Sequence, residues 1–215
     1  MLRILICFFS FSLTLGCSPR NVEFTRYSDN GKAKPTMALI PLINKTPIKL
    51  PWNISDELTL GIRESLLKTN LVFLSSPENT NATLKQLSSV DPQSMKQFSP
   101  IEFVTLLELI EHREIPYERG AIKPVYPADG TISHVLSLKV RIQIVDIRNR
   151  EPSIILHEIL QSNHLVPESI THIDTQERSW GHETYHFSPV GIAHARLERD
   201  IAERLENYIT VAKSL

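Results

Sequence analysis

The sequence predicts an α/β protein of the α+β kind. It should hold a small mixed sheet with a long antiparallel hairpin, and two to three helices including a long C-terminal helix, behind an N-terminal signal peptide. Three observations lead there. Leu136, Leu138, Val140, Ile142 and Ile144 alternate with Ser137, Lys139, Arg141 and Gln143, the period of a strand with one buried face. Ala193, Leu197, Ile201, Leu205, Tyr208 and Ala212 recur at helical spacing behind Ser188-Pro189, a cap followed by proline in the first turn. Leu58, Ile62 and Leu66 share one helical face between two short apolar runs, as a strand–helix–strand unit requires.

The N-terminus reads as an export signal. Arg3 precedes an uncharged, largely apolar run from Ile4 to Leu15, too short to cross a bilayer, which takes about 20 residues. The run ends in Leu13-Thr14-Leu15-Gly16-Cys17, a small residue directly before a cysteine. The expectation is that residues 1–16 are removed and that Cys17 is the site of lipid attachment. Of the two cysteines, Cys7 lies in the removed part, so the mature chain forms no internal disulfide. A thioether-linked lipid spares Cys17 the oxidation that an exported free thiol meets. Each buried acyl CH₂ adds about 0.8 kcal/mol, so several chains hold firmly. Gly16-Cys17 resembles a bacterial lipobox, and by the sorting rule of such lipoproteins Ser18, rather than Asp, after the cysteine implies the outer membrane, facing the periplasm, over the inner membrane.

Residues 17–35 are polar and read as a lipidated flexible tether, with one globular periplasmic domain over 36–215. Met37 to Ile43 is a short buried strand, and Pro41 places it near an edge or a bulge. A helix follows from about Ser55 to Lys68, capped by Asn53 or Ser55, with Asp56 and Glu57 where the dipole favours them and Asn70 as its stop. Leu71 to Leu74 is a second strand. Ser76 to Gln97 reads as loop with one irregular helical turn. Ser99-Pro100-Ile101-Glu102 has the form of a capping box, predicting a helix with Phe103, Leu106, Leu107 and Ile110 on its apolar face. A loop over Pro116 to Pro127 precedes the hairpin, whose second strand spans Ile154 to Val166.

Lysine and arginine number 23 against 24 acids, interspersed and without a basic run, which argues against a nucleic-acid partner. Seven glycines form no phosphate-binding loop, and no G-x-S-x-G elbow occurs. His182-Glu183-Thr184-Tyr185-His186 matches H-E-x-x-H, the zinc-hydrolase signature. Its chemistry needs a helix, on which residues four apart bind one metal while the glutamate activates water. Pro189 favours helix initiation just after the motif, so His182, Glu183 and His186 are expected on a strand or loop and no metal or other cofactor is expected. His112, His134, His157, His164, His172 and His194 show no ligand spacing, and no carboxylate pair is fixed by spacing. Lys139 and Arg141, with Arg148 and Arg150 in the turn, form a small basic cluster that can meet phosphate or an acidic partner.

Ile40-Pro41-Leu42-Ile43-Asn44-Lys45-Thr46-Pro47 behind a lipidated cysteine, then helix, short strand, long hairpin and charged terminal helix, resembles the LPS-assembly lipoproteins of the LptE type. The layout is also similar to penicillin-binding-protein activators and to the N-terminal domain of TolB. The resemblance implies a non-catalytic protein that binds lipopolysaccharide or its translocon, or one that docks on a periplasmic enzyme or machine.

Overall fold

A computed structural model describes residues 26–116, 132–167 and 179–214. Strands β1 (Thr36–Leu39), β2 (Ile43–Asn44), β3 (Phe73–Leu74), β4 (Phe103–Pro116), β5 (Ile132–Asp146) and β6 (Ser153–Pro167) form one mixed sheet in the order β3-β1-β4-β5-β6. β1 runs parallel to β3 and β4, and β2 adds a second parallel piece along β4. β4, β5 and β6 are antiparallel neighbours.

Helix α1 (Ile54–Thr69) connects β1/β2 to β3, and α3 (Pro189–Ser214) closes the chain. Asn53 accepts from Ser55 N at 3.0 Å and caps α1; Asn70 ends it in the left-handed conformation, φ 55°. α1 and α3 bury one stripe each, Leu58/Ile62/Leu66 and Leu197/Ile201/Leu205, on the same face of the sheet against Met37, Phe103, Leu107, Leu138, Val140 and Ile142. Among the described residues, the opposite face is covered at one end only. There the short helix α2 (Pro77–Leu84) and a 3-10 turn at Ser94–Phe98 enclose Ala38, Ile40, Met95, Phe98, Val104 and Val145.

Two expectations change. The helix at Ser99–Ile110 is instead the central strand β4. Phe103, Val104 and Thr105 are all buried because β4 carries both clusters, so its apolar residues do not alternate cleanly and mimic helical spacing. The capping chemistry is spent across strands: Glu102 Oε2 accepts from Thr36 N, and Thr36 Oγ1 accepts from Glu102 N, both at 3.0 Å. Pro41 marks the break between β1 and β2, while β1 lies inside the sheet between β3 and β4. Within the stretch expected as a tether, Tyr27 and Ala33 bridge around a turn at Gly31, and buried Lys34 donates to Asn70 Oδ1 at 2.7 Å. No helix among the described residues is long and apolar enough to cross a membrane.

Candidate functional site

Polar side chains from four elements meet where the N-terminal halves of α1 and α3 cross the sheet. Glu57 lies beside the apolar stripe of α1 and is 3% exposed. His194, 1% exposed, sits on the buried face of α3, whose first turn is fixed by Gly191 N donating to Ser188 Oγ at 2.9 Å. Tyr185 comes from the 3-10 turn Glu183–Phe187 that leads into α3, and His112 from β4. His194 Nδ1 is 2.7 Å from Glu57 Oε1 and 2.9 Å from the Tyr185 hydroxyl, which also donates to Glu57. Trp52 Nε1 donates to Glu57 Oε2 at 2.5 Å, and its ring stands edge-on to Tyr185 at 5.4 Å. His194 Nε2 and His112 Nε2 are 3.0 Å apart.

Burial opposes the charge on Glu57, but the hydrogen bonds and attraction of His194, with Tyr185 and Trp52, outweigh it and hold the carboxyl below its usual range. Burial, and then repulsion from His194, pushes His112 down to about 4, so its ring is neutral near pH 7. His112 Nε2 and His194 Nε2 share one proton across their 3.0 Å contact, and His194 Nδ1 faces Glu57. Burial and the Glu57 charge push Tyr185 far up, keeping its phenol protonated.

One turn beyond His194 lies Glu198. Burial, and then repulsion from Glu57 and Glu64, raises it to about 8, with Lys68 opposing. Its carboxyl lies over Gly61, where a Cβ would stand 2.1 Å from Glu198 Cδ and would push the Glu198 side chain aside. Trp180, Leu60, Glu64, Tyr185 and Glu198 line a cleft of about 220 Å³ between α1 and α3. The chain of buried groups ties both helices and the Tyr185 turn to β4. In the cleft it presents an acid that still carries its proton at neutral pH.

The residues singled out in the sequence are dispersed. Cys17 lies outside the described residues. His182 caps the 3-10 turn, and His182, Glu183 and His186 are exposed. With about three residues per turn, positions four apart do not share a face, and the buried member of the motif is Tyr185. No group of three metal-ligating side chains forms among the described residues. Lys139 pairs with Glu111 at 2.7 Å, and Arg141 with Glu108, on the sheet face turned away from α1 and α3. Arg148 binds Asp146 at 2.7 Å, donates to Ala212 O at 2.9 Å and lies 5.0 Å over the Phe103 ring. Arg150 is exposed in the β5–β6 turn. Three of the four cations are thus already matched to acids.

Sequence reasoning missed the Glu57–His194–His112–Tyr185 cluster. A signal existed: Glu57 and His194 interrupt the apolar stripes of their helices, and polar groups on a stripe need buried partners. Which partners they find depends on how α1, α3 and β4 cross, and no spacing in the sequence encodes that.

Fold and site together define an α+β protein with a two-helix layer clamped to its sheet by a buried polar chain. The chain belongs to the family of unknown function DUF7499, whose family model matches residues 23–213. No curated protein matches it. It is similar to hypothetical protein CT253 from Chlamydia trachomatis, with 25% identity and a TM-score of 0.62 over 82% of this chain and 98% of that one. Lipoproteins are also among the solved structures it aligns with. These include lipoprotein GNA1162 from Neisseria meningitidis (14% identity, TM-score 0.38, 63% of this chain and 85% of that one). Another is a minor lipoprotein from Acinetobacter baumannii (14%, 0.39, 80% and 93%).

Proposed function

We propose that the protein is a non-enzymatic, lipid-anchored lipoprotein of the bacterial envelope. Its role would be that of a binding or assembly factor for an outer-membrane component such as lipopolysaccharide or its translocon. The observation that carries this reading is Gly16-Cys17 at the end of the apolar run from Ile4 to Leu15, with a polar segment before the fold begins.

Gentle extraction of the full chain from membranes, followed by mass spectrometry of what accompanies it, tests the role. Enrichment of an outer-membrane β-barrel protein or lipopolysaccharide supports the assembly reading. Enrichment of a periplasmic enzyme supports an adaptor instead, and stoichiometric zinc with hydrolase activity overturns both.

A further inference from the structure

We propose that Arg26 and Arg63 hold the phosphate of a phosphate monoester whose apolar portion rests on Phe73, Phe98 and Ile101. Arg63 follows Ile62, a core residue of α1, and so leaves the helix beside its apolar stripe. Its Nη1 donates to Ser75 O, just past β3, at 2.8 Å. Arg26, in the segment before β1, lies 5.0 Å over the Phe73 ring. Both arginines line one cavity of about 630 Å³, walled by β3, α2 and the turn that leads into β4. Pockets for small organic ligands span about 300–1,000 Å³.

The charge of this cavity is one-sided. Among the described residues its lining holds the two arginines and no carboxylate. Neither guanidinium forms an ion pair among the described residues, whereas Lys139, Arg141 and Arg148 each do. Burial pulls Arg63 below its usual value, and Glu78 opposes this from outside the lining. Arginine keeps its charge all the same, so a half-buried guanidinium with donors to spare is stabilised by an incoming anion. Charge favours phosphate over carboxylate. A phosphate monoester carries about −1.5 to −2 near neutral pH, which matches two cations, and its oxygens fit the guanidinium fork. Phe73, Phe98 and Ile101 give the rest of the ligand an apolar seat that inorganic phosphate would leave unused. Two sources supply such an ester: a lipid with a phosphomonoester headgroup, and a soluble ester. The lipid source rests on the proposed anchor, because Arg26 stands nine residues beyond Cys17, a reach of about 30 Å. The chemistry of the cavity does not rest on it.

The test is calorimetric titration of the full chain in mild detergent with four probes: dihexanoyl phosphatidic acid, phenyl phosphate, inorganic phosphate and dihexanoyl phosphatidylcholine. One of the two monoesters should bind at least about ten-fold more tightly than inorganic phosphate or phosphatidylcholine. Tighter binding of phosphatidic acid assigns the lipid source, and tighter binding of phenyl phosphate the soluble one. Arg26→Gln and Arg63→Gln should each weaken the better monoester about ten-fold. Arg199→Gln, exposed on α3, should leave it unchanged. Arg26 is exposed, so Arg26→Gln should keep the wild-type melting curve and decides the matter even where Arg63→Gln unfolds. No binding of either monoester, equally tight inorganic phosphate, or undiminished binding in Arg26→Gln would overturn the proposal. Failure of the anchor reads differently, as an unacylated Cys17 in a chain that still binds phenyl phosphate.

Discussion

Replacing Glu198 by Gln should abolish a loss of stability that the wild-type protein suffers above neutral pH. The native carboxyl titrates near 8, whereas an unfolded glutamate titrates near 4.5. Between those values the native state holds a proton that the unfolded state has released, so stability falls as pH rises and the loss is complete above 8. From pH 6.5 to 8 the loss amounts to about 2 kcal/mol, an upper figure because Glu198 is half-buried. His112 acts with the opposite sign. Its native ring titrates near 4 against 6.5 unfolded. The unfolded state binds the extra proton between those values, so stability falls on acidification by up to about 3 kcal/mol. Below pH 6.5 the two effects oppose each other in wild type; above it Glu198 acts without His112. Glu198→Gln should therefore lose less stability than wild type from pH 6.5 to 8, by about that amount, and should be steeper than wild type below 6.5. His164, lowered, and Glu206, raised, are common to both proteins and cancel in the difference. Urea denaturation followed by circular dichroism at fixed ionic strength measures both profiles. Parallel wild-type and Glu198→Gln curves between pH 6.5 and 8 would refute the reading of the cleft.

Other substitutions test the fold. Lys139→Leu and Arg141→Leu each break one partly exposed ion pair, should cost no more than about 1 kcal/mol, and should promote aggregation of the open sheet face. Leu138→Asp and Val140→Asp, both 0% exposed, should unfold the protein, as a melting curve would show. Leu197→Ala and Ile201→Ala should each cost about 2–5 kcal/mol in chemical denaturation. His182→Ala with His186→Ala should leave the melting temperature and the metal content, read by elemental analysis, unchanged, since both rings are exposed on a 3-10 turn.

Much of the fold was legible because its signals are local. Asn53 and Asn70 bound α1, and Ser188-Pro189 opens α3. The alternation from Leu138 to Ile144 has one face wet, so its period survives. β4 was misread for the opposite reason: it lies between β1 and β5, is buried on both faces near Phe103, and takes its identity from partners distant in the chain. The site was less legible still. Glu57, His112, Tyr185 and His194 are brought together only when two helices and a turn settle on the sheet.

The proposed lipid anchor at Cys17 is tested most directly by intact-mass analysis of the chain isolated from membranes. The expected result is a mature chain beginning at Cys17, carrying the added mass of acyl groups, and lost from the membrane fraction in Cys17→Ser. A chain retaining residues 1–16, or one with an unmodified Cys17 thiol, would contradict it.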